Sequence, residues 1–340
     1  MAASQQKKKK QHYVPQCYLE AWAIPGTHQI NVYDKELRKP RVSNILDVAS
    51  ENYFYDINFT KALTEEERQQ TGLTEEELKV LSEDQFFENF FADEVEGDLS
   101  GLLKKVIANA SQLTPWRQFN CYFISEDDKK ELSCHLAVQH LRTKSTRNAI
   151  MEMSDCLSQM LSDMGASSKT IEDMSVTKDS AKLMHGRMMS DFGELISIAV
   201  RMNSFIWMLG VNKTNRTYLT NDRPVGTFPH VRNGFVSMSG IMSEGVEVFY
   251  PISPNLILIM FDREYHKQIE HIDRHYFAIE DPDIIDHYNS LCIQQSERCV
   301  FSVNDDFSLI NRMLKDSPNA INKPYISATW NGKTYLAEKK

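Results

Sequence analysis

Apolar residues recur along this chain at two spacings that alternate from one third to the next. Between residues 12 and 22, Tyr13, Cys17, Tyr18, Ala21 and Trp22 sit three and four apart, which predicts a short helix stopped by Pro25 and Gly26. Ile30 with Val32, and then residues 37–42, read as two short strands about a turn at Asp34 and Lys35. Residues 52–57 form a third, aromatic-rich extended piece. The middle third is helical in period. Residues 83–110 carry Phe86, Phe87, Phe90, Phe91, Val95, Leu99, Leu102, Leu103 and Val106, a wide apolar stripe that predicts one long helix. Thr64 with Glu67, and Thr74 with Glu77, fit a capping box, in which hydroxyl and carboxylate satisfy orphan backbone amides reciprocally. Ser125, followed by Glu126, Asp127 and Asp128, caps a helix predicted to run past Met160, with acidic residues facing its dipole. A further helix is predicted over about residues 176–202.

The last third returns to strand-like runs at residues 204–211, 217–220, 246–250, 256–261 and 299–303, with a helix over about 283–296 after Asp281 and Pro282. Asn331-Gly332 between residues 326–330 and 334–337 predicts a terminal hairpin. Strands, then helices, then strands predict an α+β fold: short N-terminal strands, a helical middle third, and a C-terminal antiparallel or mixed sheet. We expect a disordered basic tail over residues 1–10 and a single domain over 11–340, with a helical insertion at about 61–203 and a sheet-rich part at about 204–340.

Composition narrows the class. With 41% hydrophobic and 25% charged residues, the chain has material for a core and is not a largely disordered one. A net charge of −9 excludes an overall basic surface, so any nucleic-acid contact needs a local patch. No apolar run approaches the roughly 18 residues of a spanning helix, so no membrane partner is expected. The basic run from Lys7 to Lys10 is followed by Gln11, His12 and Tyr13, unlike a signal peptide. The six cysteines form no Cys-x-x-Cys pair, and we expect reduced thiols in a cytoplasmic protein. No Walker loop, dinucleotide fingerprint, nucleophile elbow or kinase signature is present, so no nucleotide or flavin cofactor is expected.

One set of motifs is specific in combination. Gln11-His12-Tyr13-Val14-Pro15-Gln16 with Leu19, Glu51-Asn52-Tyr53-Phe54-Tyr55-Asp56, and Glu96 ahead of Leu102-Leu103-Lys104-Lys105 stand in the first half. Gln139-His140-Leu141-Arg142-Thr143 with Arg147, Leu219-Thr220-Asn221-Asp222-Arg223-Pro224-Val225, Tyr250-Pro251-Ile252-Ser253-Pro254 and Asn289 follow. Together they resemble domain-of-unknown-function family 4238 over about residues 11–303, with Asn221 where that family's pattern has serine. The resemblance supplies positions and no activity. Its members occur largely in bacteria, which implies a role in defence against phage. It also implies that Gln16 and Asn289 are substrate-side polar positions.

The residue chemistry suggests one site. His12 beside a lysine run would serve as a general base, or else bond a buried carbonyl. His12 and Pro15 are similar to the opening of the His-Asn-His nucleases, but Gln11 precedes the histidine and no Cys-x-x-Cys follows. Gln139 and Arg142, three apart on one predicted helix with Arg147, suit phosphate recognition, or else a buried ion pair with Glu96. Asp222 at a strand end would hold a cation, or else make an Asx turn. If these groups converge, they form a metal-dependent nuclease or phosphodiesterase. His12, Glu96 and Asp222 would be catalytic, Glu96 and Asp222 would hold Mg2+ or Mn2+, and Gln16, Gln139, Arg142, Arg147 and Asn289 would hold nucleic acid or a nucleotide. The alternative is a non-enzymatic sensor or binding module, in which Phe86 to Phe91 and the methionines face a phage component, a protein partner or a second copy. His271 and His275, four apart, would face one way if helical.

Overall fold

Buried β-branched and aromatic runs set the frame of the computed structural model, which describes residues 7–83, 85–233, 236–237, 239–316, 327–330 and 333–336. The fold is α+β, as the order of patterns predicts. Leu256–Phe261 is apolar at every position, so it can only be a strand covered on both faces. It lies at the centre of a five-stranded sheet in the order His275–Ile279, Ile206–Asn212, Leu256–Phe261, Val246–Ser253, Gly226–Pro229. All neighbours are antiparallel except His275–Ile279, which runs parallel to Ile206–Asn212. A second sheet has the order Lys39–Asn44, Gln29–Asp34, Cys299–Ser302, Thr220–Asn221. It joins the two ends of the matched motifs. Tyr18 ties the N-terminal helix to both sheets, because its buried hydroxyl donates to the Pro251 carbonyl (2.7 Å) and lies 2.5 Å from the Thr220 hydroxyl.

The basic segment departs from expectation. Lys10 opens a strand, Lys10–His12, paired with Ser50–Asn52. The Lys8 amide donates to Gln85 Oε1 (2.7 Å), so the fold includes the lysines from Lys8 onward. His12 therefore lies in a strand, and the helix after it is short, Gln16–Leu19, continuing as a 3-10 turn, Glu20–Trp22. The extended piece expected at 52–57 ends at Asn52.

Each of the three long helices expected in the middle is broken. The stripe of Phe87, Phe91, Val95, Leu99 and Leu103 is spaced by four, longer than the 3.6 of an α-helix. A π turn at Phe91–Val95, between Phe86–Phe90 and Glu96–Ser111, rotates the chain to keep that stripe inward. The helix capped by Ser125 ends at Leu141, and Thr143 begins a new one, Lys144–Asp163. Asp191, accepting from the Glu194 amide at 3.1 Å, separates Lys178–Ser190 from Phe192–Ser204. The strands Ser327–Trp330 and Lys333–Leu336 pair as a hairpin, whose Asn331 and Gly332 lie outside the described residues. Residues 1–6 of the basic tail also lie outside them.

Candidate functional site

Arg142 is the hub of the polar core. It follows the last turn of Glu126–Leu141 as the C-cap, and the break after it turns the side chain inward, where it is 1% exposed. Arg142 Nη2 donates to the His12 carbonyl (2.6 Å) and to Glu96 Oε1 (3.1 Å), and Nε donates to the Tyr55 hydroxyl (3.3 Å). The guanidinium lies 4.2 Å from the centre of the Phe91 ring, a stacked cation–π contact. Nη1 has no partner among the described residues. Gln139 also points here, its amide donating to the Tyr13 carbonyl (3.1 Å) while its oxygen stays buried and unpaired. Four of the motif segments thus meet, those around His12, Tyr55, Glu96 and Gln139. They meet as a buried Arg–Glu pair with backbone partners, the plainer of the two sequence readings.

His12 is a weak base in this setting. The Gln16 amide lies 3.2 Å from Nδ1, an arrangement that leaves the proton on Nε2. Burial lowers the imidazole pKa to about 4, and the Arg142 charge adds to the fall. The Leu46 and Ile45 backbone near the ring opposes it without reversing it. Nε2 makes no well-formed hydrogen bond among the described residues. A base far below neutral pH takes up a proton poorly. Glu88, which sequence reasoning missed, is closer to that range. Burial raises its pKa to about 7, and Glu96 and Asp56 push the same way against Lys8 and Arg142. Its signal was a single acid among Phe86, Phe87, Phe90 and Phe91.

The remaining predicted residues are tied up locally. Asp222 is 1% exposed and accepts three backbone amides, Glu297 on Oδ1 (2.7 Å) and Arg298 and Cys299 on Oδ2 (2.8 Å each). Burial raises its pKa, with the Cys299 and Arg298 amides pulling it back. The Asx turn belongs to Asn221, whose Oδ1 accepts from the Arg223 amide (2.8 Å). Asn289 clamps the backbone, accepting from the Leu219 amide (2.7 Å) and donating to the Thr217 carbonyl (2.9 Å). Arg147 lies in the next helix after Arg142, its guanidinium 3.7 Å from the Phe54 ring centre and Nη2 donating to His185 Nδ1 (3.1 Å). His185 Nε2 in turn donates to the Leu141 carbonyl (2.7 Å), and burial lowers its pKa to about 3. His275 begins a strand and His271 lies in the last turn of a 3-10 helix, Lys267–Ile272, so the two do not share a helix face.

This donor set does not fit a divalent cation. Glu96 is spent on Arg142, Asp222 on three amides, and no group of three His, Cys, Asp or Glu side chains able to hold a metal occurs among the described residues.

An apolar hollow lies beside this polar core. Phe86, Phe87 and Phe90 from one helix, Val138 from a second and Leu195 and Ile196 from a third line this hollow, of about 390 Å³. Phe91 lines this hollow and also carries the stacked Arg142. Of its lining, Phe86, Phe192 and Ile196 are each more than half exposed, as is Val200 one turn beyond Ile196. None of the described helices is long and apolar enough to cross a membrane.

No curated protein and no solved structure matches this chain significantly. A family model described as "Protein of unknown function (DUF4238)" matches residues 10–306. That span holds the Arg142 hub and the residues lining the hollow. Because it is most of the chain, the protein belongs to the DUF4238 family.

Proposed function

We propose that this protein is a binding module whose working surface is the apolar hollow of its helical middle, used to recognise a partner protein. The observation that carries the reading is the wall of phenylalanines continuous with an exposed stripe at Phe192, Ile196 and Val200. A volume of about 390 Å³ lies in the range of ligand pockets, roughly 300–1,000 Å³. Exposed aromatics grouped beside a hollow mark an interaction site more often than scattered ones do. The buried Arg142–Glu96 pair then serves the structure by bracing the Phe91 side of the hollow from behind. The reading puts the protein in the cytoplasm, where its six free thiols would stay reduced. Anti-phage defence is the setting implied by the family likeness.

Binding of a neutral solvatochromic dye such as Nile red tests whether the hollow accepts apolar matter. The wild type should raise the dye's fluorescence, and a double substitution Phe192→Glu and Ile196→Glu should remove most of that rise. Both residues are more than half exposed, so the variant should unfold within about 0.5 kcal/mol of the wild type. Equal dye fluorescence in the two proteins would refute the reading.

A second reading, phosphodiester hydrolysis, is supported by one observation. Arg142 Nη1 is buried without a partner among the described residues, and such an atom in a native core calls for a water or a ligand. The reading requires cleavage of DNA or RNA that His12→Ala loses and that does not depend on added Mg2+ or Mn2+, since Glu96 and Asp222 are already engaged.

A further inference from the structure

The surroundings of the hollow carry a sign. Residues 83–98, which supply its phenylalanines, hold seven acidic side chains and no Lys or Arg; two of the seven, Glu88 and Glu96, face Lys8 and Arg142. Glu94 is exposed one turn beyond Phe90. Glu131, with a side chain 49% exposed, precedes the lining residue Cys134 by one turn, and Glu194 adjoins Leu195. Three basic side chains on the neighbouring helices are already engaged: Lys130 with Asp127 (3.3 Å), Arg187 with Glu67 (3.0 Å) and Arg201 with Asp262 (3.1 Å). The whole chain is acidic as well, at −9.

The shape also carries a period. Phe192, Ile196 and Val200 recur every four residues along one helix, so their stripe is about 12 Å long at 1.5 Å per residue. That is two turns of a helix laid beside it. A hollow lined by apolar residues of three helices is the kind of site into which an amphipathic helix lays its apolar face. An anionic bilayer would be repelled by the acidic surround, and a neutral acyl chain would be indifferent to it.

Resting on the binding reading above, we propose that the occupant is a basic amphipathic helix of a partner protein, its apolar face in the phenylalanine-lined hollow and its Lys or Arg flanks against Glu94, Glu131 and Glu194. Complementary charge would set partner choice and association rate, and the apolar face would supply most of the affinity.

The test uses two labelled 18-residue helical peptides with the same leucine stripe, one with lysine flanks and one with glutamate flanks, titrated by fluorescence anisotropy onto the full chain. The lysine peptide should bind at least about tenfold tighter than the glutamate peptide, and lose about tenfold between about 50 and about 500 mM NaCl. Glu94→Lys with Glu131→Lys should narrow or invert the preference without a change in thermal unfolding. Phe192→Glu with Ile196→Glu should abolish binding of both peptides. Equal, salt-insensitive binding of the two peptides, lost in the Phe192→Glu and Ile196→Glu variant, would overturn the basic partner while leaving the hollow as a binding surface. Binding that survives those two substitutions would overturn both readings, as would no binding of either peptide up to about 200 μM, where only weak, non-specific association remains. A salt-insensitive homodimer lost in the same variant would replace the basic helix by a second copy.

Discussion

Three histidines of this protein, His12, His140 and His185, are held in neutral form by the fold. Burial holds His12 at about 4, and His140 and His185 at about 3, against an ordinary value of 6.5. Arg142, Arg223 and Arg147 respectively add to the effect. In the unfolded chain these groups take up protons below pH 6.5, whereas the folded chain refuses them until about pH 4. Each therefore costs stability as pH falls through that window, at up to about 1.4 kcal/mol per pH unit. Glu88 works in the other direction. Its folded value of about 7 lies above the ordinary 4.5, so its contribution is full below 4.5 and is lost as pH rises through 7. One glutamate offsets about one histidine, and three histidines leave a net loss. The expected outcome is a urea midpoint that falls steadily from pH 7 to pH 4.5. A midpoint that is flat or rising over that range would contradict the buried neutral histidines.

At the scale of elements, breaks in helices place the polar core. Had the chain continued as one helix past Leu141, Arg142 and Arg147 would have stood five residues apart on it, on different faces. Thr143 instead restarts the helix, and the two arginines reach different aromatic rings, Phe91 and Phe54. Asp222 performs a similar service between strands. Its carboxylate gathers the amides of residues 297–299, which fixes the entry of Cys299–Ser302 into the second sheet. Asp222→Asn exchanges one acceptor oxygen for a donor that faces backbone N–H groups. It should destabilise the protein by about 2–4 kcal/mol, since an unsatisfied buried amide and a lost charge-assisted bond both weigh against it. Chemical denaturation measures this directly. A loss below about 0.5 kcal/mol, within the scatter of surface substitutions, would show that the triple acceptor is not what anchors the loop.

Across the whole molecule one apolar cluster runs from the N-terminal segment through the helices into the five-stranded sheet, taking in Trp22, Phe54, Phe91, Leu136, Met202, Trp207 and Leu258. Shared burial couples the helical and sheet parts, because neither can expose its face of the cluster without the other losing its contacts. We expect a single thermal transition by calorimetry, with van't Hoff and calorimetric enthalpies equal. Two separated transitions would mean that the helical middle unfolds by itself. The hollow sits on this shared core and not on an appended unit, so a bound helix should raise the melting temperature of the entire protein.

The sequence by itself determined the class and the order of elements, because period and run length are local properties: the six-residue apolar run at Leu256–Phe261 is too short for a buried helix and reads as a strand, and the four-residue stripe from Phe87 to Leu103 reads as helical. It also marked Arg142, Glu96, His12 and Asp222 as unusual, since a polar residue held at a fixed place among apolar ones must be satisfied by something. What satisfies each was decided only in three dimensions. The helix break at Arg142 and Thr143, the π turn at Phe91–Val95 and the neighbours gathered across long stretches of chain fixed whether a carboxylate met an arginine, a set of backbone amides or open water. Glu88 shows the same limit, for its raised pKa comes from burial beside Glu96 and Asp56, residues whose approach no spacing rule announces.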